Sequence, residues 1–192
     1  MQSFRTLPAG YTEYDTLDLQ KDKKKALLVN ILATLIAVVM AVVMHVHIPF
    51  SLSLRADGGT LMPLIRLIAL LVLMFAYLFL HELIHGAVMK NCGTEKVTYG
   101  LTGIYAYAGS TDYYDRPAYI MIALAPVVVF LAVLTILLFL VPLSWFWTIY
   151  FLQILNVSGA AGDLYVTYKC LRMPKDLLIQ DAGVRMVMYT KR

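Results

Sequence analysis

Four long runs of apolar residues dominate the sequence. They cover residues 26–50, 61–90, 117–143 and 144–168, and Pro142 leaves only a short turn between the third run and the fourth. A helix needs about 20 predominantly apolar residues to cross the hydrocarbon core of a bilayer. Each run reaches that length. The pattern therefore predicts an all-α membrane protein with four transmembrane helices.

The polar segments around these runs are short. Residues 97–109 are rich in Tyr, Thr and Gly, which favours a short β-hairpin or a glycine-broken loop between the second and third helices. The tail from Pro174 mixes charged and apolar residues and predicts a short strand or a segment that lies on the membrane surface. The expected organisation is an N-terminal segment (1–25), a four-helix transmembrane domain (26–172) and a C-terminal tail (173–192).

Composition supports the membrane class. Of the 192 residues, 60% are apolar and 15% are charged, and the mean hydropathy is +0.73. Soluble domains average roughly 45–50% apolar and about 25% charged residues, so a soluble enzyme and a disordered chain are excluded. Two cysteines are too few for a disulfide scaffold, and we expect Cys92 and Cys170 to be free, reduced thiols.

The basic residues predict the orientation in the membrane. Of the 16 Lys and Arg residues, 14 lie before the first run, in the segment from Lys90 to Arg116, or after the fourth run. The positive-inside rule places these segments in the cytosol. We therefore expect a multi-pass cell-membrane protein with both termini cytosolic and the loop 51–60 outside. The net charge of +4 comes from these basic residues beside the apolar runs. We therefore expect no nucleic-acid partner.

The second run contains the motif His81-Glu82-Leu83-Ile84-His85, an HExxH sequence. A spacing of four places both imidazoles on one helix face, where they can bind the same Zn²⁺ at roughly 2.0–2.1 Å. Glu82 lies beside them and can take a proton from the attacking water. Ionisable groups at membrane depth are costly unless they are paired or bind a metal. The motif therefore predicts a zinc site with His81 and His85 as ligands and Glu82 as the catalytic base.

Asp163 is the candidate third zinc ligand, since catalytic zinc sites usually have three protein ligands and leave the fourth position to water. Glu82 and Asp163 are the acidic residues within the four runs. His81 and Asp163 each lie about 19 residues, or roughly 28 Å of helix, from the outer ends of their runs, so they should lie at the same depth. The competing ligands His45 and His47 lie at the outer end of the first run and are expected to be interfacial.

Asn156 lies on the same predicted helix face as Asp163, with small residues between them. Small residues on such a face allow close helix packing in many membrane proteins without catalysis. Alternatively, Asn156 binds a substrate carbonyl or stabilises the developing oxyanion near the metal. Both interpretations stay open from the sequence, and Asn156 is a candidate substrate-binding residue.

Three short motifs carry a resemblance to known proteins: Leu7-Pro8-Ala9-Gly10-Tyr11 near the start, His81 to Gly86, and Ser158 to Asp163. With these motifs the chain resembles a small bacterial family of unknown function, described as zincin peptidases mainly because of HExxH. The order of HExxH, an intervening span and an Asn-to-Asp segment also resembles site-2 proteases, which are intramembrane zinc metalloproteases. The stretch 156–164 lacks the proline of their aspartate motif. The resemblance implies the same three zinc ligands and the same base.

The leading hypothesis is a membrane-embedded zinc metalloprotease that hydrolyses peptide bonds of membrane-protein substrates near the cytosolic face. A substrate helix hides its scissile carbonyls in hydrogen bonds, so the substrate must be extended, and residues 97–109 could offer a strand edge to it. One alternative is a non-proteolytic membrane protein that binds metal or a partner. Another is a metal-dependent hydrolase that acts on lipids or on small peptide-like molecules.

Overall fold

Long aliphatic stretches form the three longest helices of the protein. The computed structural model describes residues 2–18, 20–50, 61–102, 105–183 and 185–191. Within these ranges the helices are α1 (Lys23–His47), α2 (Leu61–Asn91), α3 (Arg116–Leu140), α4 (Leu143–Gly159) and α5 (Ala161–Arg172). The loop 51–60, predicted to face outward, lies outside the described residues.

Three of the described helices, α1, α2 and α3, are long and apolar enough to cross a membrane. Many of their large side chains are open to the surroundings; Val46, Phe75 and Phe139 are 73%, 74% and 86% exposed. Contiguous apolar surface of this extent is unfavourable in water and favourable against lipid tails. These helices are therefore compatible with a membrane protein.

The fourth apolar run does not form one continuous helix, so the prediction of a single transmembrane helix over residues 144–168 is wrong. α4 has 17 residues and ends at Gly159, and α5 has 12 residues and begins at Ala161. Between them Ala160 caps α4 with φ −80° and ψ 13°. The flanking glycines, Gly159 and Gly162, lower the helix propensity at this point. A hydropathy pattern does not register such a break, because small residues count as apolar.

The all-α prediction is also wrong, because the described residues include two antiparallel sheets. The larger has five strands in the order β1-β5-β6-β7-β2. Its strands are β1 (Ser3–Phe4), β2 (Tyr11–Leu17), β5 (Tyr113–Asp115), β6 (Leu178–Asp181) and β7 (Met186–Lys191). The sequence analysis expected at most one of them, in the C-terminal tail. Strands of two to seven residues give a short alternating pattern, and their partners come from distant parts of the chain.

The smaller sheet is the hairpin of β3 (Thr98–Thr102) and β4 (Tyr105–Gly109). Its register pairs Tyr99 with Ala108 and Gly100 with Tyr107. A Cβ atom on Gly100 would lie 2.6 Å from the Tyr107 ring, so a larger residue at this position would have to displace the ring. Of the two structures proposed for residues 97–109, the pair of short strands is the one present.

Contacts divide the chain into two compact units. The first unit consists of residues 1–29, 79–126 and 162–192. It contains both sheets and has Tyr114, Ile179 and Met188 at the centre of its core, all fully buried. These side chains pack in one cluster with residues of α2, α3 and α5, namely Met89, Ala118 and Cys170. Lys169 of α5 also forms an ion pair with Asp15 of β2.

The second unit consists of residues 30–78 and 127–161. It is entirely helical in its described part and contains most of α1, the first part of α2, the second part of α3 and α4. Leu134, Ile149 and Leu152 form its buried core. The Tyr150 hydroxyl donates a hydrogen bond to the Met40 carbonyl over 3.1 Å, which joins α4 to α1.

Candidate metal centre

The two histidines of the HExxH motif lie on α2 within the first unit. Because His81 and His85 are four residues apart, their rings are on one face of the helix. The ring centroids are 4.8 Å apart and the ring planes meet at 72°. Each residue is only 9% exposed. The helix thus presents two buried imidazoles to one small volume.

Asp163 completes this group from α5. The break after α4 places it in the first turn of α5, where the positive end of the helix dipole favours a carboxylate. Its Oδ2 atom lies 3.5 Å from Nε2 of His81 and 3.8 Å from Nε2 of His85. One ligand atom from each of the three residues lies within 4.8 Å of the others. The structure therefore brings together the three residues that the sequence analysis predicted as zinc ligands.

The donor set and its spacing fit zinc. Imidazole nitrogen and carboxylate oxygen bind Zn²⁺ at roughly 2.0–2.2 Å in tetrahedral geometry, which separates neighbouring ligand atoms by about 3.3 Å. The Nε2–Oδ2 distances of 3.5 and 3.8 Å are close to that value. Two nitrogens and one oxygen leave the fourth tetrahedral position for water or substrate.

A backbone carbonyl orients His85. Its Nδ1 atom lies 2.8 Å from the carbonyl oxygen of Ile122 on α3. A carbonyl oxygen can only accept, so Nδ1 carries the hydrogen. The neutral ring then presents its Nε2 lone pair on the side of Asp163. Metal-binding histidines commonly use their second nitrogen in this way, which fixes both the tautomer and the ring orientation.

Glu82 is beside the ligands and next to the hairpin. It follows His81 directly on α2 and is half-buried. The backbone N–H of Ala108, on β4, interacts with its carboxylate. One turn further along α2, Gly86 lies under Tyr99 of β3, and a Cβ atom at Gly86 would be only 2.0 Å from the Tyr99 hydroxyl. The absence of a side chain at Gly86 thus lets the hairpin approach the HExxH helix.

Asn156 belongs to the second unit and is completely buried there. Its Oδ1 atom accepts a hydrogen bond from the Tyr77 hydroxyl at 3.3 Å, and its Nδ2 atom donates one to the Val127 carbonyl at 3.1 Å. Both ends of the amide are therefore engaged within the second unit. This arrangement favours the packing interpretation of Asn156, and its contact with substrate stays a prediction.

The other candidate ligands have local partners or unsuitable chemistry. His45 and His47 are exposed at the end of α1, where the His45 ring accepts the Phe50 N–H and the His47 ring contacts the Val43 carbonyl. Cys92 and Cys170 are free and buried. Burial raises the pKa of the Cys92 thiol and raises that of Cys170 to about 11, so both stay protonated near neutral pH. Neither cysteine belongs to the group of neighbouring ligand atoms formed by His81, His85 and Asp163.

The sequence analysis missed one polar pair in the first unit. The Tyr119 hydroxyl of α3 donates a hydrogen bond to Oδ2 of Asp181, at the end of β6. Burial raises the pKa of the Asp181 carboxyl. Hydrogen bonds from the Tyr119 hydroxyl and the Gly183 N–H oppose this shift. No local motif marks either residue, since they are 62 positions apart and meet only when the sheet forms.

Two histidines on an HExxH helix, a carboxylate from a second helix and an adjacent glutamate are typical of the zincin class of metal site. The chain belongs to the family DUF3267, described as "Putative zincin peptidase", which matches residues 74–178. The match covers 105 of the 192 residues and includes HExxH, the hairpin and Asp163. It confirms the zincin family that the sequence motifs suggested. No curated protein and no solved structure matches the chain.

Proposed function

We propose that this protein is a membrane-embedded zinc metalloprotease that hydrolyses peptide bonds of membrane-associated proteins near the cytosolic face. The observation that carries the proposal is the convergence of His81, His85 and Asp163, whose ligand atoms lie within 4.8 Å of one another beside Glu82. Membership of a zincin peptidase family supports zinc and peptide hydrolysis. The likeness to site-2 proteases is part of the proposal.

The residues of the site have separate roles in this reaction. Zinc, when bound, supplies Lewis-acid activation of water and of the scissile carbonyl. His81, His85 and Asp163 would hold it and leave one position open. Glu82 accepts a proton from the attacking water and later passes it to the leaving amine. A carboxylate next to the ligands is in the right place for both transfers.

The membrane part of the proposal rests on α1, α2 and α3, which are apolar enough to cross a bilayer. The motif lies near the end of α2 that leads into the basic segment before α3, which we assign to the cytosol. β2 and β7 pair in one sheet, so the N-terminal and C-terminal segments lie on the same side. This pairing supports the assignment of both termini to the cytosol, and it requires α4, with its 17 residues, to return the chain across the membrane after α3.

The outer edge of β4 is the proposed docking edge for an extended substrate. In the register of the hairpin, Ala108 faces Tyr99, and its N–H interacts with Glu82 and therefore points away from β3. Two residues earlier, Ala106 has the same strand orientation, so its N–H and C=O also point to this outer edge. A substrate strand that pairs here would bring its backbone next to the base.

Replacement of Glu82 tests the proposal. Wild type and Glu82→Gln are expressed in the same host, and new protein N-termini in isolated membranes are identified by mass spectrometry. We expect cleavage products only with wild type, while purified samples of both proteins hold about one zinc. Equal products with both proteins would overturn proteolysis. Bound zinc without products in either sample would favour a non-proteolytic metal-binding protein instead.

A further inference from the structure

A proline interrupts the backbone hydrogen bonds of α3 at one defined place. α3 runs without a break from Arg116 to Leu140, with Pro126 inside it, and Pro126 is almost completely buried. In an α-helix the N–H of residue 126 would bind the carbonyl of residue 122. Proline has no N–H, so this bond cannot form. The carbonyl of Ile122 is thereby released from the helix.

The released carbonyl is the one that contacts the candidate zinc ligand. Ile122 is only 1% exposed, so its carbonyl has little access to water. Buried carbonyl groups need a hydrogen-bond donor. The donor is Nδ1 of His85, at 2.8 Å. Pro126 therefore frees the carbonyl of α3 that His85 of α2 contacts.

We propose that Pro126 is a positioning residue for the metal centre, because it frees the Ile122 carbonyl to fix His85 with its hydrogen on Nδ1. Nε2 of His85 is then left as the metal-binding atom, 3.8 Å from Oδ2 of Asp163. A proline one residue earlier or later would free a different carbonyl, which points in another direction around α3. This inference rests on the zinc site proposed above, but the effect of Pro126 on the His85 tautomer does not require bound zinc.

The simplest alternative is that Pro126 only bends or packs α3. Two variants separate the two roles. Pro126→Ala restores an N–H that competes with His85 for the Ile122 carbonyl. The double variant Pro126→Ala with Val127→Pro keeps a proline in the same turn but frees the carbonyl of Ala123 instead. If bending is the role, the double variant should recover wild-type behaviour; if carbonyl release is the role, it should not.

The readouts are the His85 tautomer and the zinc affinity. Histidine labelled with ¹⁵N reports the tautomer by NMR of the metal-free protein at a pH where the ring is neutral, and the His85 signal is assigned by its loss in His85→Ala. Zinc affinity is measured by competition with a chelator. In wild type we expect hydrogen on Nδ1. In Pro126→Ala we expect a population with hydrogen on Nε2 and a zinc affinity at least tenfold lower, with no recovery in the double variant.

Two results would overturn the proposal: an unchanged His85 tautomer in Pro126→Ala, or a wild-type tautomer and affinity in the double variant. If the double variant does not fold, the tautomer in Pro126→Ala decides alone. Failure of wild type to bind zinc would count against the proposed function. The tautomer measurement would still test Pro126, so the two failures are distinguishable.

Discussion

The hydroxyl of Tyr119 donates a hydrogen bond to Oδ2 of Asp181 over 2.6 Å and ties α3 to the last turn before β7. The other oxygen of this carboxylate accepts the N–H of Gly183 at 2.8 Å. Tyr119 is three residues before Ile122, whose carbonyl binds His85. The C-terminal strands thus help to hold the part of α3 that supports the candidate metal centre.

The pKa of Asp181 leads to a prediction about stability and pH. Burial raises the pKa of this carboxyl in the folded protein. Its contribution to stability is therefore complete below the unfolded-state pKa of about 3.9 and is lost as the pH rises through the higher folded-state pKa. We expect wild type to lose thermal stability relative to Asp181→Asn, which does not titrate, as the pH rises from about 4 to 7.

Thermal unfolding of both metal-free proteins in the same detergent measures this effect. Other titrating groups are shared, so they largely cancel in the difference between the two melting temperatures. A difference that stays constant across the pH range would contradict the prediction.

Removal of a candidate ligand should remove zinc. His85→Ala and Asp163→Ala each delete one of the three donors, and two remaining donors bind zinc far more weakly. Elemental analysis should find about one zinc in purified wild type and little in either variant. His45→Ala is the matched control, because His45 is exposed on α1 and its ring accepts a local N–H. Equal zinc loss in the control would contradict this ligand set.

The docking edge can be tested with two proline substitutions in the hairpin. Ala106→Pro removes an N–H from the outer edge of β4, whereas Leu101→Pro, at the residue paired with Ala106, removes one from the outer edge of β3. Both should leave the hydrogen bonds between the strands in place. We expect Ala106→Pro to lower kcat/KM about tenfold or more, with little change in Leu101→Pro. Cleavage of a substrate found in the Glu82→Gln comparison provides the assay, and equal effects would rule out β4 as the docking edge.

The contact of Gly86 with Tyr99 predicts a steric effect. A Cβ atom at Gly86 would lie 2.0 Å from the Tyr99 hydroxyl, so Gly86→Ala must displace this side chain. Tyr99 is 44% exposed and can move outward, which places the cost near the lower end of the roughly 1–3 kcal/mol typical of overpacking. The melting temperature and zinc affinity of Gly86→Ala should both fall. The double variant Gly86→Ala with Tyr99→Ala relieves the contact and should recover the melting temperature; no recovery would place the clash elsewhere.

The features that local sequence patterns specify were the ones predicted correctly. HExxH fixes two histidines on one helix face through its spacing alone, and α1, α2 and α3 follow from long apolar runs. The two strands within residues 97–109 follow from Tyr and Thr between glycines. Asp163 could be proposed because equal depth in a membrane relates positions on different helices, and the structure places it with the histidines.

The features that depend on distant pairing were missed. β1 has two residues and β5 has three, too few for an alternating pattern, and they become strands only through their partners. The bond between Tyr119 and Asp181 exists only once β6 is aligned in the sheet. The break at Ala160 was missed for another reason, since hydropathy counts small residues as membrane-compatible whether or not they continue a helix.

The order of strands in the large sheet also constrains the biosynthesis of the protein. β2 is made before helices α1 to α5, and its partner β7 is made after them, with Tyr11 paired to Lys191. At about 5–20 residues per second, a ribosome needs roughly 10–35 s to synthesise the chain between them. Throughout that interval β2 is an unpaired edge, open to chaperones or to misplaced strands. The unit that carries the candidate metal centre therefore closes only after α1 to α5 and β7 have all been made, and a nascent chain that ends before β7 does not yet hold this unit in its final form.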